Sequence, residues 1–112
     1  VLRPGGFIYV EDTDREWMCI FPSTKAWDQL YEKIKKGQIR RGGDPRSGRK
    51  LGRYLDDVGF TRIETSLVPV TGDNQTVENW IRVFAPSYLN FLSAKEAKAA
   101  ERVLKDLYKM CM

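Results

Sequence analysis

The chain has 112 residues, enough for one domain with its own core, and no apolar run reaches the roughly 18 residues of a membrane helix. A hydrophobic share of 42%, a charged share of 30% and a formal net charge of +4 describe an ordinary globular protein, whose mild basicity reads as solubility before it reads as nucleic-acid binding. There is no histidine, and Cys19 and Cys111 lack CxxC spacing, which argues against a zinc site built by this chain and against a Ser-His or Cys-His nucleophile.

Leu2-Arg3-Pro4-Gly5-Gly6 predicts a turn: Pro4 presets φ at the first corner, and Gly5 accepts the positive φ of the second. The run Phe7-Ile8-Tyr9-Val10 predicts a strand buried on both faces, as in a parallel sheet under helices. It stops at Glu11, Asp12 and Asp14. Polar residues beyond the carboxyl end of such a strand are ligand candidates, with a solvated strand-end turn as the plainer alternative. From Arg15 to Pro22 the chain carries Trp17, Met18, Ile20 and Phe21, which read either as a packed loop or as a wall of a substrate pocket.

Ser23 is placed to cap a helix with Trp27, Leu30, Tyr31 and Ile34 on one face, and Gly37 to end it. Gln38 to Lys50 holds Arg40, Arg41, Arg46, Arg49 and Lys50 among three glycines, and its first part, to Gly43, reads as the most mobile interior segment. Asp44 and Pro45 then predict the start of a second helix. A phosphate loop is rejected, because Arg49-Lys50 rather than Lys-Ser/Thr follow Gly48 and no strand precedes it.

The second helix is expected to bury Leu51, Tyr54, Leu55 and Val58 and to end at Gly59. Alternation over Thr61 to Val70, with Pro69, predicts a strand near a sheet edge. Thr76 reads as the cap of a helix with Val77, Trp80, Ile81 and Phe84, which Pro86 must kink or end. Ser93-x-x-Glu96 is a capping box, and it opens a last helix through Ala97, Ala100, Leu104, Leu107 and Cys111.

The stretch VLRPGGFIYVEDTD resembles the fifth-strand region of class I S-adenosylmethionine-dependent methyltransferases. GGDPRSGRKLGRYLDDVGFTRIETSLVPV resembles the next part of the same families: a loop, a helix ending in GF and a sixth strand. The resemblance covers roughly Val1 to Val70. The families' acidic-Gly-x-Gly-x-Gly loop is absent, so the resemblance implies that residues 1–112 are the C-terminal, substrate-side half of a methyltransferase domain, cut from a larger enzyme.

The expected fold class is therefore α/β, a partial Rossmann-like methyltransferase fold of two or so strands with four or five helices. The implied activity is methyl transfer from S-adenosylmethionine in the full-length protein, with no cofactor-binding residue and no metal site in this stretch, which by itself is expected to be inactive. The substrate-facing candidates are Glu11, Asp12, Asp14, Trp17, Arg40, Arg41, Arg46 and Arg49; no catalytic residue is singled out. Expected partners are the methyl acceptor, the rest of the domain and a second copy through strand edges, in the cytoplasm that two lone thiols suit. The alternative is a basic nucleic-acid-binding module without catalysis, disfavoured because the basic segment is short and Asp44 interrupts it. A structural half-domain that self-associates is a third reading, compatible with the first.

Overall fold

The structure is a computed structural model that describes residues 2–111. Val1 and Met112 lie outside the description, as do the side chains of Asn74 and Cys111, and with them the expected place of Cys111 on an apolar face. The order of elements is a 3-10 turn at Arg15–Trp17, then α1 (Lys25–Arg40), α2 (Ser47–Asp57), α3 (Asn74–Val83), α4 (Ala85–Leu89) and α5 (Ala94–Cys111). The chain divides into two units, one of Val1–Met18 with Pro45–Leu67 and one of Cys19–Asp44 with Val68–Met112.

The described residues form helices and no strand, which overturns the expected α/β, Rossmann-like class. The turn at Pro4-Gly5 does form: Gly5 has φ +81° and the Gly6 N–H donates to the Arg3 carbonyl at 2.9 Å. Phe7 to Val10 leaves it outside any helix or strand, with Phe7 90% and Tyr9 83% exposed. Thr61 to Val70 is likewise unpaired, and Leu67, Val68 and Val70 are exposed. A strand exists only where a second backbone meets its N–H and C=O groups, and neither run has one here. The expected sheet edge for a second copy is therefore not formed.

The unit of Cys19–Asp44 and Val68–Met112 holds the buried core. Thr24 rather than Ser23 caps α1, accepting the Trp27 N–H at 3.1 Å, while the Ser23 hydroxyl bonds to Asp28 at 2.5 Å. All four predicted apolar positions of α1, Trp27, Leu30, Tyr31 and Ile34, are buried. Trp27 stacks on Tyr31 with ring centroids 5.5 Å apart and meets Trp80 of α3 edge-on at 5.7 Å. Trp80 in turn lies 5.5 Å from Tyr88 of α4. Ala85, Leu92, Ala100 and Leu107 complete the buried set.

Gly37 does not end α1. The helix runs on to Arg40, so Gln38 to Arg40, expected in a loose loop, are helical. Gly37 is buried, and a Cβ there would run into the Phe91 carbonyl, so its lack of a side chain lets α1 pass against that backbone. The positive φ falls at Gly42 (+80°). The Gly42 N–H bonds to the Ile39 carbonyl at 2.9 Å and the Gly43 N–H to the Gln38 carbonyl at 3.0 Å, a Schellman closure.

Asp73, not Thr76, caps α3, accepting the Thr76 N–H and hydroxyl at 3.0 Å each. Those bonds hold the Asp73 carboxyl below its usual range. A break at Phe84 separates α3 from α4, and Pro86 sits in the first turn of α4, where its missing N–H is tolerated. The Ser93–Glu96 capping box forms as predicted: the Ser93 N–H bonds to the Glu96 carboxylate at 3.0 Å, and the Glu96 N–H to the Ser93 hydroxyl at 3.3 Å. Glu96 is held low, first by the Ser93 backbone and hydroxyl bonds and then by the charges of Lys33 and Arg40.

These two uses of glycine separate by mutation. Gly37→Ala places a methyl group against a backbone carbonyl that cannot rotate away, whereas Gly42→Ala only imposes a left-handed conformation costing about 1–2 kcal/mol. Urea unfolding is expected to show the larger loss for Gly37→Ala. Equal or reversed losses would remove the packing role assigned to Gly37.

Candidate functional site

The candidate site lies within the unit of Val1–Met18 and Pro45–Leu67, where residues 12–17 meet the first turn of α2. Asp14 caps the 3-10 turn by accepting the Glu16 N–H at 3.1 Å, and the Arg15 N–H donates to the Pro45 carbonyl at 2.9 Å. Pro45 is buried, α2 begins at Ser47 rather than at Pro45, and Arg46 stands at the cap position without a side-chain capping bond. Gly48 is required by the approach: a Cβ on it would lie 2.8 to 2.9 Å from the Thr13 carbonyl group and the Asp14 nitrogen. α2 ends as the sequence predicts, with Gly59 at φ +92° and the Gly59 and Phe60 N–H groups bonded to the Asp56 and Leu55 carbonyls. Its expected buried face does not form. Tyr54 and Val58 are exposed, and Leu51 and Leu55 are half-buried.

A charged latch closes this contact. Arg49 grips Asp14 through two nitrogens, Nη2 lying 3.0 Å from Oδ1 and Nε bonded to Oδ2. The same Nη2 is 3.5 Å from the Glu16 carboxylate, and Arg46 Nε reaches the other Glu16 oxygen at 2.7 Å. The Ser47 hydroxyl bonds to Asp12, whose second oxygen accepts the Thr13 N–H at 2.8 Å. The Arg49 guanidinium also lies 5.9 Å from the Trp17 ring centre, in cation–π range. The Asp14 side chain is 10% exposed and that of Arg49 is 41% exposed, so the bidentate pair sits at the rim of solvent rather than inside a core.

Five sequence candidates, Asp12, Asp14, Trp17, Arg46 and Arg49, are thus brought to one place. Glu11 is not among them; its carboxylate accepts the Tyr9 hydroxyl at 3.3 Å. Arg40 and Arg41 lie at the C-terminal end of α1, in the other unit, where Arg40 acts on Glu96. Glu16, Ser47 and Gly48 are participants that sequence reasoning missed. The pattern Arg-Ser-Gly-Arg carried a usable signal, because a glycine in the first turn of a helix costs stability unless a backbone must come close.

Arg46 and Arg49 are held by carboxylates and are not aimed outward as an anion clamp. Among the described residues no group of three or more Asp, Glu, Cys or His side chains is placed to hold a metal. The Gly42, Gly43 and Gly6 N–H groups bond to the Ile39, Gln38 and Arg3 carbonyls, and a Cβ on Gly52 would meet Thr65. What faces solvent is the Trp17 ring, 64% exposed, and the exposed Asp12 carboxylate, which accepts from the Ser47 hydroxyl and the Thr13 N–H.

The Arg49 hydrogen bond is the main cause holding the Asp14 carboxyl below its ordinary value of 3.8. A depressed carboxyl stabilises the fold at pH values above its unfolded value, and the contribution is lost as pH falls through the folded one. Asp14→Asn is therefore expected to cost about 1 kcal/mol at neutral pH, discounted for the exposed guanidinium. The difference from the unsubstituted chain should shrink as pH drops below 3.8. Chemical unfolding across that range is the measurement, and a difference independent of pH would remove the ion pair as its cause.

No protein-family model, no curated protein and no solved structure matches the chain.

Proposed function

We propose that this chain serves S-adenosylmethionine-dependent methyl transfer within a longer protein, contributing the side that receives the methyl acceptor. The observation that carries the proposal is the convergence of residues 12–17 with Arg46 and Arg49, two stretches that the methyltransferase resemblance had marked separately. S-adenosylmethionine supplies an electrophilic methyl group, and no residue of this chain is assigned to holding it.

Methyl transfer depends more on alignment than on a dedicated base, so a rigid rim is a useful contribution. Asp14, Glu16, Arg46 and Arg49 act as positioning residues, fixing the 3-10 turn on α2. The turn carries Trp17, whose exposed ring offers a flat apolar surface for the acceptor. Asp12 is the carboxylate available to orient an acceptor hydroxyl or amine, or to accept its proton.

The full-length protein that contains this chain, assayed with labelled S-adenosylmethionine against a panel of small-molecule and macromolecular acceptors, is expected to transfer the label. Trp17→Ala and Asp12→Asn should lower kcat/KM for the acceptor about tenfold or more while leaving cofactor affinity unchanged. Label transfer to no acceptor would overturn the proposal. Loss of cofactor affinity in Trp17→Ala would move this site to the cofactor side.

A further inference from the structure

The outward face of α5 carries a feature that the methyl-transfer reading leaves unused. Lys95, Lys98, Arg102, Lys105 and Lys109 succeed one another at alternating steps of three and four residues. At 3.6 residues per turn and 1.5 Å per residue they fall within an arc of about 80° and along a row of about 21 Å. All five are exposed. The opposite face of α5, with Ala100 and Leu107 buried, packs on α1, α3 and α4, so the row points away from the core.

Lys109 is 3.8 Å from Asp106. None of the other four cations has an ion-pair partner among the described residues. Glu101 and Asp106 flank the row without interrupting its order. Four basic residues elsewhere are held: Arg46 and Arg49 by Glu16 and Asp14, Arg53 by Asp57 at 2.8 Å, and Lys35 by Glu32 at 2.5 Å.

We propose that this row is a docking surface for the phosphate backbone of duplex nucleic acid. Like charges at these spacings repel one another, and a polyanion relieves that repulsion while releasing its own condensed counterions. A straight, rigid line of charge fits an extended array of phosphates better than an isolated acidic side chain. Four of the five cations are lysines, point charges suited to backbone contact without base readout. The face carries no aromatic on which single-stranded bases would stack. Within its arc it also carries no large apolar side chain to enter a bilayer; the exposed Tyr108 and Met110 fall about 60° outside it. The surface lies apart in sequence from the basic segment 38–50, the stretch on which nucleic-acid binding was disfavoured.

The test is fluorescence anisotropy of a labelled mixed-sequence DNA duplex of about 20 base pairs, titrated with the chain at rising salt. Contacts to three or four phosphates predict a slope of log K against log salt of about −3 to −4. Lys98→Glu with Lys105→Glu should weaken binding at least tenfold and flatten the slope by about 2. A charge-matched control, Lys25→Glu with Lys36→Glu on α1, should stay within about threefold. Circular dichroism is the check that both variants fold. The proposal is overturned if the duplex does not bind at about 50 mM salt, if the control loses as much as the α5 variant, or if anionic phospholipid vesicles bind and the duplex does not.

Discussion

The indole of Trp27 is the contact on which the larger unit depends. It stacks on Tyr31 of its own helix and meets the edge of Trp80 from α3, which in turn touches Tyr88 of α4. Aromatic pairs at these distances contribute about 0.5–1.5 kcal/mol each beyond the area they bury, and removing a buried tryptophan costs about 3–5 kcal/mol. Three helices are held by that one group of rings. α5 then closes over the set through Ala100 and Leu107. Its outward face is left polar, and that is why a row of cations can stand there without disturbing the core.

The second unit is organised by charge rather than by burial. No residue of α2 is buried, and the helix is tied to residues 12–17 by Asp14–Arg49, Glu16–Arg46 and Asp12–Ser47. An isolated surface pair contributes little, since solvent screens it and two long side chains lose freedom. A bidentate pair joined to a second pair and a cation–π contact loses less freedom per bond, because each side chain is already held by another. Gly48 makes the network possible by letting the backbones meet. The consequence is a short turn held in place, with Trp17 on it and Asp12 ahead of it exposed to solvent.

The two apolar runs show a different limit. Phe7 to Val10 and the stretch toward Val70 have the composition of strands, yet no backbone pairs with them and their side chains face solvent. β-propensity describes how well a residue fits a half-buried pleated surface, and it creates no such surface by itself. Exposed apolar runs of this kind are also the natural places for pairing with another backbone.

The sequence by itself determined what arises within a turn or two of chain. The apolar spacing of Trp27, Leu30, Tyr31 and Ile34, the Ser93–Glu96 capping box, the Pro4-Gly5 turn and the glycine closing α2 were all legible, because each rests on groups at most a few residues apart. Tertiary structure decided the rest. Gly37 and Gly42 look alike in sequence, and only the Phe91 backbone distinguishes the one that packs from the one that turns. Likewise Asp14 and Arg49 are 35 residues apart, so both could be named as candidates, but not as partners of each other. Whether Phe7 to Val10 became a strand depended on a neighbouring backbone, and no local pattern encodes where that neighbour will be.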